Sequence, residues 1–219
     1  MSDELFRSAL SAPVDIADWR VEGPMLASFP QGRLRLESAA DPAAGQAANF
    51  VAWLPVEPEG DLRISWGFRP LREPGLAMIF WAARSRDGHP IHDPELPERT
   101  GEYDQYHSGA IDAYHLSYYR RMWASERSLH TCNVRKSHGF HLVAQGADPL
   151  PAALDADRDY RLELTWYGPE LTFAIEGIEC LRWRDDGTIG GPARTGGAIG
   201  LRQMAPLIAE YSDLLVEAI

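Results

Sequence analysis

The chain has 219 residues, 45% apolar and 24% charged, and its 21 basic against 32 acidic side chains give a formal net charge of −11. This balance excludes a disordered chain and argues against binding to nucleic acid or anionic membrane. No run approaches the ~18 apolar residues of a membrane-spanning helix, and the acidic start lacks the apolar core of a secretory signal. The expectation is one domain, 1–219, in the cytoplasm, and a homo-oligomer is compatible with it.

In chain order, residues 3–10 read as one or two helical turns. Residues 33–36 alternate Arg-Leu-Arg-Leu, the period of a strand with one face on a core. Leu62, Ile64, Trp66 and Phe68 alternate with Arg63, Ser65, Gly67 and Arg69 in the same way. The stretch 84–101 has Pro90, Pro94 and Pro97 and no periodicity, so it reads as a long loop, a kind that is often functional. Strand patterns return at 111–119, 131–135 and 140–143. A second loop follows at 145–158, then strands at 160–167 and 171–175. A short helix is expected at 206–211, before a last strand at 214–216. Gly- and Pro-containing turns separate these runs, so the fold class is all-β, a sandwich or barrel.

Polar chemistry concentrates in one third of the chain. Five of the seven histidines (His107, His115, His130, His138, His141) and five of the eight tyrosines (Tyr103, Tyr106, Tyr114, Tyr118, Tyr119) fall between 103 and 141. Such clustering favours a site. Strict alternation puts Ala113, His115, Ser117 and Tyr119 on one face, with Tyr114, Leu116 and Tyr118 toward the core. Cys132 and Val134 read as core, which sends Asn133 and Arg135 outward. Phe140 and Leu142 read as core, which sends His141 outward. If these strands share a sheet, His115, Ser117, Tyr119, Asn133, Arg135 and His141 line one concave, wet surface. Trp81 and Trp123 border the region and offer faces for stacking on a pyranose.

The runs 101–109 (GEYDQYHSG), 114–121 (YHLSYYRR), 130–143 (HTCNVRKSHGFHLV) and 145–151 (QGADPLP), with 74–80 (PGLAMIF) and 197–206 (GAIGLRQMAP), resemble the YesU-like family over nearly the whole chain. The resemblance implies a concanavalin A-like lectin/glucanase fold, a jelly-roll β-sandwich of two antiparallel sheets. It also implies a carbohydrate context, because some members are encoded beside pectin-degrading enzymes. It implies no particular reaction.

Three chemistries fit these residues. Related jelly-roll glucanases carry Glu-x-Asp-x-x-Glu on a strand; here Glu102, Tyr103 and Asp104 match its start, but His107 stands where the second Glu belongs, which weakens a hydrolase reading. β-Elimination from a uronate needs donors for a carboxylate (Arg135, Asn133), a base and an acid, for which His115, Tyr119 and His107 are the candidates. The same set, with Ser117, His141, Tyr103, Asp104, Glu102 and Trp81, equally suits a non-catalytic sugar-binding module. His89, His92 and Asp93 sit in a Pro-rich loop without zinc spacing, so no metal or cofactor is expected. The expected partner is a plant-derived oligosaccharide, with uronic acids as the acidic component.

Overall fold

The structure is a computed structural model that describes residues 2–219. Fifteen strands are described: β1 (Asp3–Ser8), β2 (Arg20–Glu22), β3 (Met25–Ser28), β4 (Leu34–Ser38), β5 (Phe50–Trp53), β6 (Leu62–Arg72), β7 (Leu76–Ser85), β8 (Ile111–Arg120), β9 (Thr131–Lys136), β10 (His141–Ala147), β11 (Tyr160–Tyr167), β12 (Glu170–Ile175), β13 (Ile178–Arg184), β14 (Ala198–Met204) and β15 (Ile208–Ala218). Two short helices, α1 (Asp104–His107) and α2 (Ala124–Leu129), flank β8. One sheet runs β13-β12-β11-β6-β15-β4-β3, with β1 also pairing β15; the other runs β10-β9-β8-β7-β14-β5-β2. The pairings are antiparallel, so the molecule is the all-β sandwich that the alternation predicts.

The core lies between the sheets. Ile64, Trp66, Phe68, Leu162, Leu164 and Trp166 meet Ile79, Trp81, Tyr114, Leu116, Tyr118 and Val134. Aromatic contacts cross the seam, Tyr114 on Trp166 at 4.8 Å and Phe68 on Tyr118 at 5.2 Å between ring centroids. Edge-to-face and offset pairs of this kind add to the burial of their own surface.

Two end segments differ from their sequence expectation. Residues 3–8 form β1, and 208–211 begin β15, where helical turns were expected; the strand expected at 214–216 is the later part of β15. Both carry mixed patterns, and pairing with each other and with β6 overrides their weak local preference.

A second apolar cluster lies on the outer face of the seven-stranded sheet. Val51, Trp53, Met78, Phe80 and Ala113 are covered there by Ile91 and Tyr106 of the segment 86–110. Strand β7 is therefore apolar on both faces, LAMIFWAARS without alternation.

Three site expectations are corrected here. Trp81 faces the inter-sheet core, stacked on Tyr114 at 5.0 Å and beside Trp166, so it is unavailable to a sugar. Tyr119 also turns inward, packing on Phe68. The β7–β8 ladder pairs Ala77 with Tyr119 and Met78 with Ser117, so one extra residue is inserted on β8 and the parity flips. His141 pairs with inward-facing Lys136, whereas Leu142 pairs with Arg135. Leu142 therefore takes the outer face, and His141 is exposed away from it. Emptying the Trp81 site in Trp81→Ala should cost about 3–5 kcal/mol of unfolding free energy in urea titration; a solvent-facing stacking tryptophan would cost far less.

Candidate functional site

Two rows of side chains cross the outer face of the seven-stranded sheet. The first runs Val51, Arg202, Met78, Ser117, Asn133, set by consecutive ladder pairs. The second runs Phe80, His115, Arg135, Leu142. His115 and Arg135 are thus direct cross-strand partners, as strand parity predicts. Over the second row lie the turn before α1, with Tyr103, and the end of α1, with His107. Gly101 makes its close approach possible: φ is +94° and a Cβ there would stand 2.1 Å from the Asn49 carbonyl oxygen.

A cleft opens at the β8–β9 end of this face. It offers about 130 Å³ and is lined by Gln46, Leu76, Met78, Tyr103, Ser117, Arg120, Trp123, Glu126, Asn133, Arg135, Phe140 and Met204. That is room for about four waters, or the part of a sugar ring that displaces them. Two aromatic side chains flank it with much of their surface free, Phe140 at 50% exposure and Trp123 at 55%. Phe140 was expected in the core. It instead lies in the turn between β9 and β10 and packs against Tyr103, His107 and the Arg135 guanidinium, the last 3.6 Å from its ring centre. A broader groove of about 610 Å³ beside β2 is lined by Asp18, Arg20, Glu57, His92 and Asp93 among others. It is rich in carboxylates and holds none of the clustered residues.

Electrostatics distinguish the cleft. Arg120 donates to Glu126 Oε1 at 2.7 Å and to Thr131 Oγ1 at 2.7 Å. The other Glu126 oxygen accepts the Met122 and Trp123 backbone N–H groups, so this carboxylate is fully used in capping α2. Arg135 makes one hydrogen bond, from Nη1 to the Phe140 carbonyl at 2.9 Å, and no ion pair among the described residues. Burial pulls its pKa down, against the pull of Tyr103. The Asn133 amide lies within 2.8 Å of Gln145 Nε2, and with its oxygen assigned toward Arg120 Nη1 (3.1 Å) its nitrogen donates to the Cys132 carbonyl (3.0 Å). Ser117 Oγ reaches the Asn133 carbonyl at 3.4 Å, at the limit of a hydrogen bond.

Beneath Tyr103 a hydrogen-bond chain fixes one histidine tautomer. Ser137 Oγ accepts from Ala113 N (2.8 Å) and donates to Ala113 O (3.1 Å), so its one proton is spent. With that proton on Ala113 O, His115 Nε2, 3.1 Å away, is the donor to Ser137 Oγ. His115 Nδ1 is left as the acceptor, and Tyr103 Oη donates to it at 3.1 Å. His115 is 1% exposed, and burial holds its pKa well below the ordinary value, helped by His107 and Arg202. Burial likewise pushes the Tyr103 phenol up to about 12. His115 is therefore neutral, engaged at both nitrogens and hidden from the cleft. It positions Tyr103.

His107 edges the same wall, 4.9 Å from the Tyr103 ring and 4.8 Å from Phe140. Glu102 and Asp104 lie at the start of α1, not on a strand, and neither lines the cleft. The paired carboxylates of a glucanase motif are thus absent from the face. Among the described residues, no three His, Cys, Asp or Glu side chains converge as a metal requires. Sequence reading missed Arg202 and Phe140 as parts of this arrangement, whereas Trp123, read there as a stacking face at its border, does line the cleft. The outward parity of Arg202 is visible in 198–204, because Ile199 and Leu201 claim the inner face.

This antiparallel two-sheet sandwich has the fold shared by lectins and glucanases. The chain matches the family described as "Domain of unknown function (DUF1961)" over residues 3–216. It is 46% identical over 212 residues to the uncharacterized protein YesU of Bacillus subtilis (strain 168), covering 97% of this chain and 94% of that protein. The chain therefore belongs to this YesU-like family. A crystal structure of a protein of unknown function with a galectin-like fold, from Bacillus subtilis, superposes with a TM-score of 0.93 at 46% identity, covering 99% and 97% of the two chains. More distant structures share the fold. The Emp46p carbohydrate recognition domain, potassium-bound, has a TM-score of 0.59 at 13% identity over 95% and 94% of the chains. Bacillus licheniformis β-glucanase has 0.59 at 12% over 98% and 97%.

The histidines set a pH dependence of stability. Burial depresses His115, and it lowers His92 to about 4. Both stay neutral in the fold but take up a proton in the unfolded chain below about pH 6.5. Stability is thus full above that pH and falls as pH drops toward the folded-state values, by at most about 1.4 kcal/mol per pH unit for each group. Urea unfolding at pH 7.5 and at pH 5 should show the loss, and its slope should be shallower in His115→Asn.

Proposed function

We propose that the cleft binds an acidic, uronate-containing oligosaccharide, and that the chain 1–219 works as one recognition unit. The observation that carries this reading is Arg135. It is a guanidinium without a carboxylate partner in a protein of net charge −11, placed between a polar floor and a half-exposed aromatic ring. A guanidinium fork matches a carboxylate in two parallel hydrogen bonds. Phe140 and Trp123 supply apolar faces for the C–H side of a pyranose, and Ser117 supplies a hydroxyl. The carbohydrate recognition domain and the β-glucanase that share the fold support a sugar ligand in general terms. Two unpaired cysteines, Cys132 and Cys180, and the lack of a helix long and apolar enough to cross a membrane, among the described residues, are in keeping with work in the reducing cytoplasm.

Recognition is the reading favoured over turnover. Hydrolysis of a glycoside uses two carboxyl groups flanking the bond, and the single one in the cleft, Glu126, is spent on Arg120 and on a helix cap. Elimination needs a base facing the C5 proton. His115 is closed off and Tyr119 lies in the core, which leaves His107 at the rim.

Titration calorimetry with oligogalacturonates and with neutral oligosaccharides of equal length is the test. Binding of the acidic series alone is expected, with no ultraviolet signal of an unsaturated product. Arg135→Lys should weaken binding by about 1.5–3 kcal/mol, the scale of a charged hydrogen bond, because one ammonium cannot replace the fork. Equal binding of neutral and acidic ligands, or an unchanged Arg135→Ala, would overturn the reading.

A further inference from the structure

Deeply buried basic groups in this protein come with a carboxylate. Arg121 pairs with Asp148 at 2.6 Å, Lys136 with Asp185 at 2.6 Å and Arg99 with Glu22 at 2.7 Å. This is the general rule, because a charge removed from water is costly unless it is paired. Arg202 breaks it. Its exposure is 0%, and it has no ion pair among the described residues. Its Nη2 reaches the Gly101 carbonyl at 3.1 Å and Gln46 Oε1 at 3.3 Å, while Nε and Nη1 have no partner. The Tyr103 ring covers the guanidinium, with Cζ 4.7 Å from its centre.

The surroundings of Arg202 point toward the cleft. Met78 is its ladder neighbour, Met204 is two residues along the same strand face, Gln46 is its hydrogen-bond acceptor and Tyr103 is its cover. All four also line the cleft. The orphaned N–H groups thus lie one side chain below the cavity that contains Arg135. Tyr103 stands at the N-cap of α1, where its N–H donates to Gln46 Oε1 at 3.3 Å and its carbonyl accepts from the Tyr106 N–H at 3.0 Å.

We infer that Arg202 is a second anion-recognition group of the cleft, taking a further carboxylate of the same oligosaccharide whose first carboxylate engages Arg135. The inference rests on the acidic-sugar reading and sharpens it: the ligand carries at least two uronates. Tyr103 caps Arg202 while the cleft is empty, its π-face in place of an anion, and gives way when the carboxylate arrives.

The experiment compares galacturonate, trigalacturonate and its methyl ester on the wild-type protein and on Arg202→Gln. Wild type is expected to bind trigalacturonate at least tenfold more tightly than galacturonate, and to lose that gain with the ester. In Arg202→Gln the gain of trigalacturonate over galacturonate should shrink to about twofold. A wild-type crystal soaked with trigalacturonate should show one carboxylate within hydrogen-bond distance of Arg202, which serves even if the variant does not fold. An undiminished gain in Arg202→Gln, or a bound trimer that leaves Tyr103 capping Arg202, would overturn this inference alone. Failure of the wild type to bind any uronate would overturn it together with the acidic-sugar reading.

Discussion

The placing of segment 86–110 against the outer face of the seven-stranded sheet governs the site. Tyr106 stacks on Phe80 at 5.4 Å and sends its hydroxyl to Glu22 at 2.6 Å. Glu22 in turn holds Arg99. These contacts pin the end of the loop to both β7 and β2, so Gly101 can pass tightly over Asn49 and deliver Tyr103 onto the sheet. Without that anchorage, His115 and Arg202 would lie open to solvent and the cleft would lose a wall. The apolar outer face of β7 is the feature that makes the anchorage favourable, since burying each such side chain stabilises by roughly 1.5–3 kcal/mol.

The face therefore changes character along its length. Toward Phe80 and Trp53 it is a second core, closed by the loop. Toward Ser117 and Asn133 it stays polar and opens as the cleft. The histidine lies at the boundary, and its environment decides its role. Both nitrogens are committed, to Ser137 and Tyr103, and desolvation keeps it uncharged. A neutral, saturated imidazole is a poor base and a good strut. The neighbouring guanidiniums repel a proton there as well, so the same positive field that suits an anionic ligand keeps the strut neutral.

How much of this was legible depends on the local regularity of each strand. Where alternation is strict, as in 62–68 and 160–167, the inward set reads correctly from the sequence, although Ser65 and Gly67 on the other face of β6 are buried too. The cross-strand meeting of His115 and Arg135 also follows from parity, because both β8 and β9 are regular up to that point. Parity fails where a residue is inserted. The bulge between Ser117 and Tyr119 flips the tyrosine into the core, and nothing in the string YHLSYYRR marks it. Trp81 fails for another reason: β7 is buried on both faces, so hydrophobicity gives no phase. Phe140 fails because a turn aromatic next to a strand has the same composition as a core residue. Its half-exposure comes from its place in the β9–β10 turn, and its remaining contacts with Arg135, Tyr103 and His107 are tertiary facts.

The relation of fold to function follows from the same geometry. A two-sheet sandwich offers an outer face whose strands carry alternate side chains at fixed spacing, and this serves catalysis or recognition equally well. Chemistry on a glycosidic bond demands groups that are exposed, correctly ionised and close to the reacting atoms. Here the titratable groups nearest the cleft are committed elsewhere: Glu126 caps a helix, His115 supports Tyr103, and Tyr119 donates to Glu73 within the interior. Groups that retain unused hydrogen-bonding capacity are guanidiniums, and those bind anions without cycling protons near neutral pH. The distribution of satisfied and unsatisfied polar groups, more than the fold, is what supports the proposed recognition role.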